Sequence, residues 1–141
     1  FKNAHIGVAV DTPRGLMVPT LMDANLKSLN DISAEAKKLA SDAQAGTINP
    51  DLLKGGTFTI TNLGTMGIES FTPVINPPQT GILGVNTLET RVKNVNGEMK
   101  MYQAMTLSLT FDHRALDGAP AARFLQELCK NLENFTMLLI K

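Results

Sequence analysis

Alternating and helical spacings of apolar residues divide the chain into a small number of elements. Ala4, Ile6, Val8 and Val10 alternate with their neighbours and predict a first strand that ends in the turn-rich stretch Asp11-Thr12-Pro13-Arg14-Gly15. Leu16 to Met22 is a second apolar run, which Pro19 demotes to an edge strand or a bend, so the two runs read as a hairpin. Leu29, Ile32, Ala36, Leu39 and Ala43 recur at spacings of three and four, predicting a helix with Ser28 as N-cap, Asp31 in its first turn and Gly46 as its stop. Asn49-Pro50 opens a short helix that ends at Gly55-Gly56. In Thr57 to Thr61 the alternation places Phe58 and Ile60 inward and the threonines toward solvent. A glycine-bearing loop covers Asn62 to Ser70, and Phe71 to Ile75 is extended but interrupted by Pro73. Gly81 to Val95 and Glu98 to Phe111 read as paired strands around an Asn96-Gly97 turn. A last helix begins near Asp117, with Ala121, Phe124, Leu125, Leu128 and Leu132 on one face, and the tail from Phe135 to Ile140 is apolar.

These elements predict an α+β fold, a mostly antiparallel sheet with a few helices on one face, in a chain of 141 residues sized for one domain. Charge adds little, because 13 basic and 13 acidic residues leave no field to draw the chain toward nucleic acid or an anionic membrane. No apolar run approaches the roughly 20 residues of a membrane span. The lone Cys129 rules out an internal disulfide and fits a reducing compartment. Two histidines and one cysteine argue against a structural zinc site, so no metal is expected. The chain starts at Phe1, almost inside a strand, which suggests a trimmed piece of a longer protein.

Candidate chemistry gathers where the last strand ends. Thr106 to Phe111 alternates as a half-buried strand, and Asp112-His113-Arg114-Ala115-Leu116-Asp117-Gly118 follows at once. A lone histidine is more often a satisfied turn or core residue. Strand-end placement, the flanking Asp112 and Arg114, and Asp117 before a glycine favour a general base instead. Asp117 also sits where the N-cap of the last helix belongs, and both jobs are compatible. Asp112 and Arg114 read equally well as solvated charges. Thr61 reads first as a solvent-face threonine, but it ends its strand against Asn62 and a glycine loop, where a hydroxyl could meet a ligand.

The segment Asp112 to Gly118 resembles the DHRxxDG signature of the dihydrolipoamide acyltransferases, the core enzymes of 2-oxo acid dehydrogenase complexes. Three further blocks resemble that family in order: Thr12 to Pro19, its TxRGLxVP hairpin; Gly55 to Gly64, its GGTFTISNLG segment; and Phe71 to Val85, its proline-rich stretch. Gly118 to Leu125 is similar to the start of its last helix, and the likeness runs through nearly all of the chain. The resemblance implies a fold of the chloramphenicol acetyltransferase type, a two-layer sandwich of sheet and helices. It implies transfer of an acyl group, most simply acetyl, from S-acyl-dihydrolipoyl lysine to the thiol of coenzyme A. His113 would be the general base, Thr61 the donor to the oxyanion, and Asp117 the residue that holds the His113 loop. Asn62 and Arg114 would contact coenzyme A. Thr61 stands where many members have serine.

The same resemblance implies homotrimers joined into cubic or dodecahedral cores, with each active site between two subunits. It implies work with a lipoyl domain, and with decarboxylase and dihydrolipoamide dehydrogenase components docked through other domains. Lipoyl and peripheral-subunit-binding domains, and the stretch before the TxRGLxVP hairpin, are absent from these 141 residues, which would be the C-terminal portion of one catalytic domain. Met137-Leu138-Leu139-Ile140 resembles the C-terminal knob that docks into a neighbouring trimer. The compartment implied is the bacterial cytoplasm, or the mitochondrial matrix of a eukaryote. The alternatives are branched-chain or succinyl specificity, a non-catalytic scaffold subunit, and an antibiotic acetyltransferase, whose motif carries a second histidine in place of Asp112.

Overall fold

A computed structural model describes residues 2–138. Contacts divide the chain between Thr110 and Phe111 into two compact units. The first holds strands β1 (Ile6–Val8) and β2 (Thr20–Leu21), helix α1 (Leu29–Ala45), strand β3 (Phe58–Asn62), strand β4 (Gly81–Val95) and all but the last residue of β5 (Glu98–Phe111). The second holds α2 (Gly118–Glu133) and the short α3 (Phe135–Leu138).

The five strands form one mixed sheet in the order β2-β1-β3-β4-β5. The predicted hairpin forms: Ile6 faces Leu21 and Gly7 faces Thr20 in an antiparallel pair, closed by a bridge between Val10 and Met17. In its turn Thr12 Oγ1 donates to Gly15 O at 2.6 Å and accepts from Arg14 N at 3.2 Å. Pro19 is tolerated because β2 is an edge strand. At the sheet's centre β3 runs parallel to both neighbours, with Gly7 facing Thr59 on one side and Thr61 facing Gly84 on the other. Asn96 and Gly97 adopt φ of 55° and 88°, the two positive values that a tight hairpin turn requires between β4 and β5.

Helix α1 forms where its apolar stripe predicts it. Ser28 Oγ accepts from Asp31 N at 3.1 Å, and Gly46 closes the helix at φ 73°. Leu39 and Ala43 join Val10, Leu21 and Ile48 in a buried cluster, so this face of α1 and the β1–β2 hairpin make one small core. In β3 the predicted inward and outward faces are not those observed: Phe58 and Ile60 are half-buried, and Thr59, expected toward solvent, is 0% exposed. A central parallel strand has both faces covered, whatever its polarity. Leu139 and Ile140 lie outside the described residues, and with them the expected docking of the Met137 to Ile140 tail.

The turn after β3 has no room to spare. Gly64 lies against the β4 backbone, and a Cβ there would come within 2.4 Å of Asn86 O. Since a ladder carbonyl cannot step aside as a side chain can, Gly64→Ala should cost about 1–3 kcal/mol of stability, read as a lowered midpoint in urea denaturation. An unchanged midpoint would mean that the turn re-forms elsewhere.

Candidate active site

The three threonines of the segment 57–61 share one face but have different surroundings. Thr57 Oγ1 accepts from His5 N at 3.0 Å and lies 3.1 Å from His5 O, to which it donates. Thr59 Oγ1 donates to Gln79 Oε1 at 2.7 Å. Among the described residues the Thr61 hydroxyl has no hydrogen-bond partner, and it opens on a cavity of about 400 Å³. Ala9, Leu16, Val18 and Ile82 line that cavity together with the segment from Phe71 to Asn76, and no charged side chain reaches it. Phe71 lies over Gly84, the residue facing Thr61, where a Cβ would come within 2.8 Å of the ring. Sequence reasoning missed this cavity, because an extended segment with Pro73 carries no periodicity to say which way it faces. Asn62 follows Thr61, and its Oδ1 accepts from Gly64 N at 2.8 Å, fixing the turn.

The second unit, by itself, carries His113. After β5 the chain turns tightly, with Ala115 N and Leu116 N both donating to Asp112 O at 3.0 and 3.1 Å. His113 stands on this turn with its ring centroid 5.8 Å from that of Phe111. Its Nδ1 lies 3.6 Å from Asp117 Oδ1, and both side chains are more than two-thirds exposed. Asp117 occupies the N-cap position of α2, but its carboxylate makes no capping hydrogen bond. Of the two jobs expected of Asp117, the capping bond is not formed, and its carboxylate lies on the Nδ1 side of the ring.

Asp112 and Arg114 are not independent solvated charges. The carboxylate accepts from Arg114 N at 2.9 Å and from Nε and a terminal nitrogen of the same guanidinium at 3.0 and 2.7 Å. These bonds, led by the one from the guanidinium, hold the Asp112 pKa down, from the ordinary 3.8 to about 2. The carboxylate in turn raises that of Arg114. Among the described residues no group of three or more His, Cys, Asp and Glu side chains could hold a metal ion. Nor is any described helix long and apolar enough to cross a membrane.

Comparison with known proteins agrees with this fold. The structure superimposes on that of Azotobacter vinelandii dihydrolipoamide acetyltransferase with a TM-score of 0.89 at 39% identity, covering 99% of this chain and 57% of that one. A truncated catalytic core of the 2-oxoacid dehydrogenase multienzyme complex from Thermoplasma acidophilum gives 0.82 at 44% identity, covering 94% and 58%. The α+β fold of the chloramphenicol acetyltransferase type is therefore the one observed. The profile of the 2-oxoacid dehydrogenases acyltransferase (catalytic domain) family matches residues 1–140, and the chain belongs to that family. Among its relatives, the acetyltransferase component of the pyruvate dehydrogenase complex of Dictyostelium discoideum is 43% identical over 99% of this chain and 22% of its own length. The succinyltransferase component of the 2-oxoglutarate dehydrogenase complex of Escherichia coli K12 is 41% identical over 96% and 33%. This chain spans about a fifth to a third of such relatives.

The Asp112–Arg114 pair predicts a distinctive titration. Because its folded pKa is depressed, Asp112 adds stability that is present above the ordinary carboxylate range and is lost as pH falls through about 2. A carboxyl NMR titration should place its midpoint near 2, and Arg114→Ala should return it toward 3.8. A midpoint that ignores the substitution would show that the pair does not persist in solution.

Proposed function

We propose that this chain forms the larger part of the catalytic domain of a dihydrolipoamide acyltransferase. It would move an acetyl group from S-acetyl-dihydrolipoyl lysine to coenzyme A. One observation carries the assignment of residues. The Azotobacter structure concerns a serine, a histidine and an asparagine in the catalytic mechanism, and their spacing along that chain equals the spacing of Thr61, His113 and Asp117 here. Thr61 then takes the serine's place, keeping a hydroxyl, and Asp117 takes the asparagine's, keeping an oxygen that can face the ring.

The chemistry follows from ordinary acidities. A thiol with pKa near 8.5 is only a few per cent thiolate at neutral pH. His113 takes the proton of the coenzyme A thiol, and Asp117 on Nδ1 orients the ring so that Nε2 is presented. The sulfur attacks the carbonyl carbon of the acetyl thioester, and the oxygen gains a negative charge to which the Thr61 hydroxyl donates. Collapse breaks the bond to the dihydrolipoyl sulfur, which receives the proton back from His113. Asn62 and Arg114 sit beside these two residues and are proposed to contact coenzyme A; Asn62 would use its amide nitrogen, since its oxygen is held by Gly64.

The cavity beside Thr61 favours acetyl or a branched apolar acyl over succinyl, because a free carboxylate would find no cation in the lining. The partners proposed are two further copies in a trimer, a larger core built from such trimers, a lipoyl domain, and the decarboxylase and dihydrolipoamide dehydrogenase components. A structure of the cubic core of the pyruvate dehydrogenase multienzyme complex matches with a TM-score of 0.89. The outer hairpin of β4 and β5 exposes Val92, Met99 and Met101 by half or more, apolar surface suited to contact between copies. A scaffold subunit would have no use for a hydroxyl and an imidazole kept at these positions.

In a thiol-coupled assay of the assembled protein, His113→Ala should lower kcat by about 10²–10⁴-fold. Thr61→Ala should lower it by about 10²–10³-fold with little change in the KM for coenzyme A. Wild-type turnover in the His113 variant would overturn the assignment, and a Thr61 defect confined to KM would remove its oxyanion role.

A further inference from the structure

The wall of the cavity beside Thr61 is a segment with no ladder hydrogen bonds of its own, so its position must come from its ends. At the first end Thr87 N donates to Ile68 O at 2.8 Å and Thr106 Oγ1 donates to Glu69 O at 3.0 Å. At the second end the main anchor is a side chain. Thr59 Oγ1, fully buried two residues before Thr61, donates to Gln79 Oε1 at 2.7 Å, and Gln79 N closes a turn to Asn76 O at 3.1 Å. Gln79 is itself seated on bare backbone, since a Cβ on Gly56 would come within 2.6 Å of Gln79 Nε2. Among the described residues, Gln79 is the member of the turn Asn76-Pro77-Pro78-Gln79 whose side chain hydrogen-bonds to β3.

We propose that Gln79 is a positioning residue: clamped between Thr59 and Gly56, it holds the wall from Phe71 to Asn76 at the distance from Thr61 that fits a small acyl group. The clamp and the hydroxyl share one strand face, two residues apart, so any strand movement carries both. With the bond intact, Val74, Pro73 and Ile82 bound a fixed apolar space beside the carbonyl that Thr61 would hold. With it broken, Gln79 Oε1 turns to water, the wall loosens, and a small acyl group loses its fit before the chemistry itself is touched. This role rests on the reading of Thr61 as the oxyanion donor.

Three substitutions strike the clamp from different sides. Thr59→Val removes the donor and keeps the shape, Gln79→Leu removes the acceptor, and Gly56→Ala presses on the Gln79 amide without touching either bonding group. In the assembled protein each should raise the KM for acetyl-dihydrolipoamide about 3- to 10-fold while kcat and the KM for coenzyme A stay within about twofold, the scale of one lost hydrogen bond. Each should also narrow the preference for acetyl over isobutyryl, and Thr59→Ser should restore wild-type values. Hydrogen exchange supplies a readout that needs no activity: the Gln79 amide should exchange faster in Thr59→Val, with α1 unchanged. An active wild type whose Thr59→Val variant keeps both its acetyl-dihydrolipoamide KM and its exchange would overturn the clamp. So would parallel losses in both KM values that Thr59→Ser fails to rescue. A wild type without transferase activity would overturn the functional reading and the kinetic role together, leaving the exchange result to decide the clamp alone.

Discussion

The parallel insertion of β3 between β1 and β4 is the constraint on which the site depends. Thr59 and Ile60 are paired on both edges, Phe58 with β1 alone and Thr61 and Asn62 with β4 alone, and that pairing fixes which way each side chain points. Once both faces of such a strand are covered, its polar groups must find partners within the protein. Thr57 and Thr59 do so, with His5 and Gln79. Thr61 is the next residue on the same face, and it meets a cavity instead. The same repeat that gives two hydroxyls partners within the protein thus leaves a third facing open space.

Most of the local order was legible in the sequence, because local order follows from local spacing. The apolar stripe of α1, its Ser28 cap and Gly46 stop, and the β4–β5 hairpin at Asn96-Gly97 all rest on residues within a turn or two of one another. Parallel pairing was not legible. The partners of β3 lie about fifty residues before it in β1 and twenty after it in β4, and no pattern inside Thr57 to Thr61 says that its polar face is covered. The segment from Phe71 to Asn76 hid for a related reason: side chains elsewhere set its course. Asp117 was legible as the N-cap position of α2, but local spacing could not say that its carboxylate would form no capping bond.

The histidine turn shows how two acids close together can be given separate work. Asp112 is adjacent to His113 in sequence, and distance along the chain alone would make it the natural partner of the ring. It is taken by the backbone and guanidinium of Arg114, which favours its ionised form. Asp117, at the N-cap of α2, is the carboxylate that lies nearest Nδ1. Arg114 thus occupies the acid that stands next to the imidazole in sequence. Were the two aspartates to exchange roles, His113 would be held by its own neighbour in the chain, and its ring would follow the turn's motion rather than the start of α2. As it stands, the carboxylate nearest Nδ1 belongs to the N-cap residue of a 16-residue helix, a stiffer support than three residues of turn.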